Sequence, residues 1–247
     1  MSPDPLTVKL LVESSKKSVS YGTTYIQFPA TSTADSRRRP DILALSDQLR
    51  FSEEPADQVL ARQLVDILLE RDPDDVSALT RLALLQQTAG HIDQAVQTQK
   101  RILQIDPGNT VAINNLSWTL AVEKNELSEA LEWANKGLQA VSAPGDGEVA
   151  DLLDTRGVIY YRLGRHAEAL ADLEQALSLY PLQHMARAGI HLHLAQVQLV
   201  LGNVAQARRF LVQASELHRR HHTLSPGDVH LLENLLHQQN LNEHLPL

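Results

Sequence analysis

The chain has 247 residues, 43% of them hydrophobic, with a formal charge of −8 and no cysteine. The acidic balance argues against nucleic acid, whose binding rests on phosphate neutralisation, and the missing thiols exclude disulfides, cysteine nucleophiles and lipid-anchored cysteine. No apolar run approaches the roughly 20 residues of a membrane helix, and no cleavable-signal pattern opens the chain; a cytoplasmic location without membrane insertion is expected.

Residues 1–40 stand apart from the rest of the chain. Leu6-Thr7-Val8-Lys9-Leu10 alternates apolar and polar, as does the stretch from Ser18 to Tyr25, and Ser14-Ser15-Lys16-Lys17 is placed to turn between them. Two readings stay open: a short hairpin, which is marginal alone in water, or a flexible leader left from another domain. Thr31 to Pro40 has linker composition, and its Arg37-Arg38-Arg39 run is either solvated or offered to an acidic partner. A short helix is expected from Asp41 to Arg50. Glu54-Pro55-Ala56 opens another, with Pro55 in the first turn, Ala61, Val65 and Leu68 as its stripe, and Asp72-Pro73 as its end. This pair, residues 41–75, reads as a degenerate repeat capping the N-terminal end of a longer array.

From there the chain repeats. Pro73, Pro107, Pro144 and Pro181 lie 34, 37 and 37 residues apart, and Ala95, Ala130, Ala169 and Ala207 lie 35, 39 and 38 apart. Gly90, Gly164 and Gly202 end the first helix of three copies, where a left-handed residue is wanted. Asn125 holds that place in the remaining, second copy, as the next most tolerant residue. A small residue precedes each alanine by twelve positions, or thirteen in the second copy: Ala83, Ser117, Gly157 and Ala195. The clearest copy runs from Asp151 to Pro181, where Gly157, Ala169 and Ala176 let two helix backbones approach closely. After the last copy, Ser225-Pro226-Gly227-Asp228 signals a helix start, and Leu231, Leu232, Leu235 and Leu236 give that helix one apolar face.

These landmarks resemble the tetratricopeptide repeat, a helix-turn-helix of 34 residues, in the form seen in bacterial repeat proteins. The resemblance spans roughly residues 56 to 218. It implies an all-α, right-handed α-solenoid over residues 41–247, with repeats at 76–109, 110–144, 150–183 and 188–218 and a capping helix at 226–240. The sequence departs from the pattern in places. The large residue early on the first helix is Leu79, Ile113, Leu153 or His191, and Arg156 stands where the other copies have leucine.

In this family the first helix of each pair lines a concave groove suited to a peptide or a partner helix. Carried over by register, the groove positions are Thr80, Arg81, Leu84 and Gln87; Asn114, Asn115, Trp118 and Val122; Asp154, Val158, Tyr161 and Arg162; and Leu192, His193 and Gln196. Trp118 faces the groove if the extra residue of its repeat follows it, and packs on the neighbouring repeat if the extra residue precedes it. One subset of the family clamps a chaperone's C-terminal carboxylate. Here the matching positions hold Thr80 and Leu84, Asn115, and Asp151 and Thr155; only the asparagine agrees, and Asp151 has the wrong charge for an acidic ligand.

Eleven histidines are the one compositional oddity. His218, His221 and His222, and separately His230, Glu233 and His237, fall near one another on helix faces. Zinc needs a fuller ligand set, so exposed histidines are expected rather than a metal site. No phosphate loop and no nucleophile-base set is legible. The expected function is a non-enzymatic protein-interaction scaffold without cofactor, its ligand a protein or peptide. The alternative is a docking or regulatory module of a larger enzyme, or of a bacterial envelope or exopolysaccharide assembly system.

Overall fold

The structure, a computed structural model, describes residues 7–10, 24–27, 39–50, 52, 54–141 and 146–239. The turn expected at Ser14–Lys17, residues 31–38 of the expected linker, the joint around Pro144 and the chain after Gln239 lie outside them, whereas Arg39 and Pro40, expected in the linker, open the first helix. The described chain divides into two compact units, Met1–Leu85 and Gln86–Leu247.

In the first unit β1 (Thr7–Leu10) pairs antiparallel with β2 (Thr24–Gln27), Val8 opposite Ile26 and Lys9 opposite Tyr25. Helices α1 (Arg39–Arg50) and α2 (Pro55–Arg71) form a hairpin. Ile42, Leu43 and Leu49 of α1 meet Ala61, Leu64, Val65 and Leu68 of α2 in its core. α3 (Val76–Thr88) adds Ala78 and Leu85 to that core, and Asp75 caps it by accepting from the Ala78 amide at 3.1 Å. The end of α3 passes into the second unit.

The second unit holds α4 (Ile92–Ile105), α5 (Thr110–Val122), α6 (Leu127–Ala140) and α7 (Asp146–Arg162). It continues with α8 (His166–Leu179), α9 (Arg187–Val200), α10 (Val204–His221) and α11 (Pro226–Gln238). Each helix packs on the next in sequence, and α7 also packs on α5 and on α9, so the first helices of successive hairpins stand side by side. This is the all-α solenoid of tandem hairpins. The turns use left-handed residues: Gly90, Gly164 and Gly202 at φ +75°, +75° and +80°, and Asn125 at φ +56°. Three of four are glycine because a Cβ there meets the following carbonyl.

The seam between α7 and α8 shows why small residues recur. A Cβ added to Gly157 would sit 2.7 Å from Leu173 Cγ and 3.4 Å from the Ala169 carbonyl oxygen. Ala169, Leu173 and Ala176 across the seam are fully buried. Arg156, beside Gly157, also turns inward. Its Nε and Nη2 donate to the Asp172 carboxylate at 2.6 and 2.9 Å, and Nη1 donates to Asn135 Oδ1 at 2.9 Å. That pairing holds the guanidinium above its ordinary pKa. The Arg156 and Asp172 side chains are 22% and 9% exposed, so a charge pair replaces the leucine of the other copies. On α9, His191 takes the place of a large apolar residue and stacks on Phe210, their ring centres 5.6 Å apart. Burial, with a lesser push from Arg187, lowers its pKa to about 4.

α11 closes the stack. Leu232 and Leu236 are buried, and Leu231 and Leu235 pack against the same core as Leu173, Leu194 and Leu211. Ser225 caps its start, accepting from the Asp228 amide at 3.1 Å. No described helix is long and apolar enough to cross a membrane.

Candidate binding cleft

Within the second unit, α5, α7 and α9 wall a cleft of about 300 Å³, closed at one end by the segment entering α11. α5 supplies Asn114, Asn115 and Trp118, and α7 supplies Asp151, Asp154 and Thr155. Gly189 and His193 come from α9, Met185 and Ala186 from the turns before it, and Thr223, Leu224 and Asp228 from the approach and first turn of α11. Trp118 therefore faces the groove, as expected if the extra residue of its repeat follows it. Its ring centre lies 5.8 Å from that of His193, tilted by 41°.

His193 is 7% exposed. Its Nδ1 lies 2.8 Å from Asp154 Oδ1. Burial alone disfavours the imidazolium, but the nearby Asp154 and Asp228 charges outweigh it and raise the pKa above the ordinary value. With Nδ1–H donated to Asp154, Nε2 finds no hydrogen-bond partner among the described residues. Asn114 Oδ1 is likewise buried without a donor. Asp151 accepts from the Tyr180 hydroxyl at 2.6 Å, and Tyr180 stacks on His184 with ring centres 4.3 Å apart. Lost hydration raises the Asp151 pKa; the Tyr180 bond opposes this, and Asp154 and Glu148 add to it. A smaller recess of about 100 Å³ continues the cleft along the same helices, between Thr110, Val111, Asn114 and Asn115 on one side and Glu148 and Asp151 on the other. Thr110 donates to Glu148 Oε2 there at 3.0 Å.

Of the groove residues expected from register, Asn114, Asn115, Trp118, Asp154 and His193 meet in this cleft. The others do not line it. Gln87 donates to Thr119 Oγ1 at 2.7 Å, Arg162 donates to the Ala121 carbonyl at 2.9 Å, and Tyr161 lies against His166. Gln196 is half-buried further along α9. Arg81 belongs to the first unit, where it pairs with Asp47 at 2.8 Å and donates to the Ser77 carbonyl. Val158 and Leu192 are corrected outright: they are 8% and 0% exposed and belong to the core. Register alone overlooked Met185, Thr223 and Asp228. The helix-start signal at Ser225 places Asp228 in a first turn, but nothing local says that this turn meets α7 and α9. Among the described residues no three His, Cys, Asp or Glu side chains converge as metal ligands do.

Two family models, each described as a tetratricopeptide repeat, match residues 60–110 and 150–182. The chain is 30% identical over 129 residues to the TPR repeat-containing protein PA4667 of Pseudomonas aeruginosa, a match covering 52% of this chain and 21% of that protein. Matches to the curated relatives span 8 to 21% of their lengths. Among solved structures, the type IV pilus biogenesis factor PilW superposes with a TM-score of 0.64 at 18% identity, covering 86% of this chain and 89% of PilW. TTC0263, a thermophilic TPR protein of Thermus thermophilus, superposes with a TM-score of 0.63 at 24% identity, covering 82% and 99%. At these identities the two structures share the fold.

Proposed function

Because the chain belongs to the tetratricopeptide-repeat family, we propose that it is a non-catalytic scaffold that holds a segment of a partner protein in the cleft of α5, α7 and α9. The observation that carries this is the half-buried Trp118 leaning on His193 beside unpartnered polar atoms. Tryptophan at the centre of a recess is a frequent anchor of binding energy, and asparagine side chains can donate to and accept from a peptide backbone together. The His193–Asp154 pair resembles half of a catalytic triad. A nucleophile must lie within hydrogen-bond reach of its base, and no hydroxyl among the described residues bonds the free Nε2. The pair is better read as fixing the imidazole in the wall. The longer curated relatives keep a docking module of a larger assembly as the second reading, and it uses the same cleft.

A photo-crosslinking residue placed at Met185, on the cleft rim, tests the claim against one at the exposed Glu174 of α8. A covalent adduct with a polypeptide is expected from Met185 alone. Adducts from both sites equally, or from neither, overturn the reading.

A further inference from the structure

The cleft's chemistry is one-sided. Glu148, Asp151 and Asp154 follow one another at intervals of three residues along α7, facing the cleft and its smaller recess, and Asp228 joins them from α11. Neither hollow is lined by a lysine or an arginine. Carboxylates alone make no site, because water and neighbouring donors satisfy most of them. Here a further feature points the same way. Asn114 Oδ1 is buried at the wall with no donor. A buried site with an acceptor left over calls for a ligand made of donors. Lysine and arginine side chains are donors only, and they carry the complementary charge. Trp118 offers an aromatic face, against which a cation or the aliphatic stem of a lysine packs favourably.

We propose that the partner segment is a basic one: an extended peptide that places a lysine or arginine in the cleft beside Trp118 and a second in the recess beside Glu148. This rests on the cleft being the partner site. The spacing follows from the helix. Glu148 and Asp154 are separated by six residues on α7, a rise of about 9 Å at ~1.5 Å per residue. An extended chain advances ~3.3 Å per residue, so the two basic residues stand two or three positions apart. Raised repulsion at Asp151, crowded by Asp154 and Glu148, is relieved by the bound cation. The polarity is opposite to that of an acidic-tail receptor.

The test is calorimetric titration of the full chain with a blocked nonapeptide carrying two lysines two positions apart, and with its glutamate and serine counterparts. The lysine peptide is expected to bind, the other two not. Asp151→Asn with Asp228→Asn, near-isosteric changes that keep an acceptor oxygen for Tyr180 and for Ser225, weaken binding about tenfold. Circular dichroism of the double variant verifies that it folds. Equal binding of the lysine and glutamate peptides, or undiminished binding to the double variant, overturns the charge assignment while leaving the Met185 crosslink intact. Lysine amide binding as tightly as the peptide overturns the extended segment. Loss of the Met185 crosslink, by contrast, removes the cleft itself.

Discussion

The seam between α7 and α8 and the cleft between α5, α7 and α9 share one helix and treat charge in opposite ways. In the seam Arg156 and Asp172 neutralise each other at 2.6 Å, behind a glycine with no room for a methyl group. In the cleft, one helical face away, carboxylates gather without a lysine or arginine among them. Helix α9 repeats the contrast with one residue type. His191 is buried against Phe210 and kept neutral, and two positions on His193 meets Asp154 and is drawn toward its charged form. Interior faces are closed electrostatically, whereas the cleft face gathers carboxylates with no lysine or arginine lining it. A change to the first should cost stability, and a change to the second should cost binding.

The largest effect is expected at Arg156. Arg156→Leu restores the residue of the other copies but strands Asp172, 9% exposed, without its partner. Removing one member of such a pair costs about 3 kcal/mol, read by urea unfolding. The double variant with Asp172→Leu should recover most of it; no recovery would mean that the pair does not set the cost. Gly157→Val should lose about 2.5 kcal/mol, since the added carbons collide with Leu173 in a packed seam. If its unfolding midpoint matches the wild type, the close approach of α7 and α8 is not as described.

Acid separates the two histidines. His191 has a folded pKa of about 4 against an ordinary 6.5, so between those values the unfolded chain takes a proton that the folded chain refuses. Stability therefore falls as pH is lowered from 6.5 toward 4, by about 3 kcal/mol. His191→Phe should flatten that limb of the stability curve. His193 acts with the other sign. Its raised folded value gives stability that is fully present below the ordinary pKa and is lost as pH climbs through the folded one. Asp154→Asn should abolish that contribution, and an unchanged curve would dismiss the pairing. The smallest stability change, within about 0.5 kcal/mol, is expected for Asn115→Ala, although it lies in the cleft and should reduce the Met185 crosslink. A large loss of stability there would blur the distinction between seam and cleft.

Much of the frame could be read from single residues, because backbone geometry is local. A left-handed turn admits few residue types, so Gly90, Asn125, Gly164 and Gly202 announce the hairpins unaided. Close helix approach needs small side chains, so Gly157 and Ala169 mark the seam. The cleft was only half legible. Its α5 and α7 residues follow from register, but Asp228 arrives from a helix 74 residues after Asp154. Insertions between repeats also left the facing of Trp118 undecided until the helices were placed. The Arg156–Asp172 pair had a signal that register alone passes over. Asp172 follows Ala169 by three and precedes Ala176 by four, which is the buried spacing of a helix, and Arg156 occupies a leucine position. Two opposite charges on two buried stripes of one hairpin are a contact written in sequence.

Gly189 has a consequence of its own. It sits within α9 on the cleft wall, and a Cβ built there would meet nothing within 4 Å. Most residues that shape a pocket also hold something up, so altering selectivity usually weakens the fold. Here an alanine adds its Cβ without a collision, while the helix gains the ~1 kcal/mol that glycine forfeits relative to alanine. Affinity and robustness are uncoupled at this one codon, and a narrower, blocked or recharged mouth lies a single substitution away.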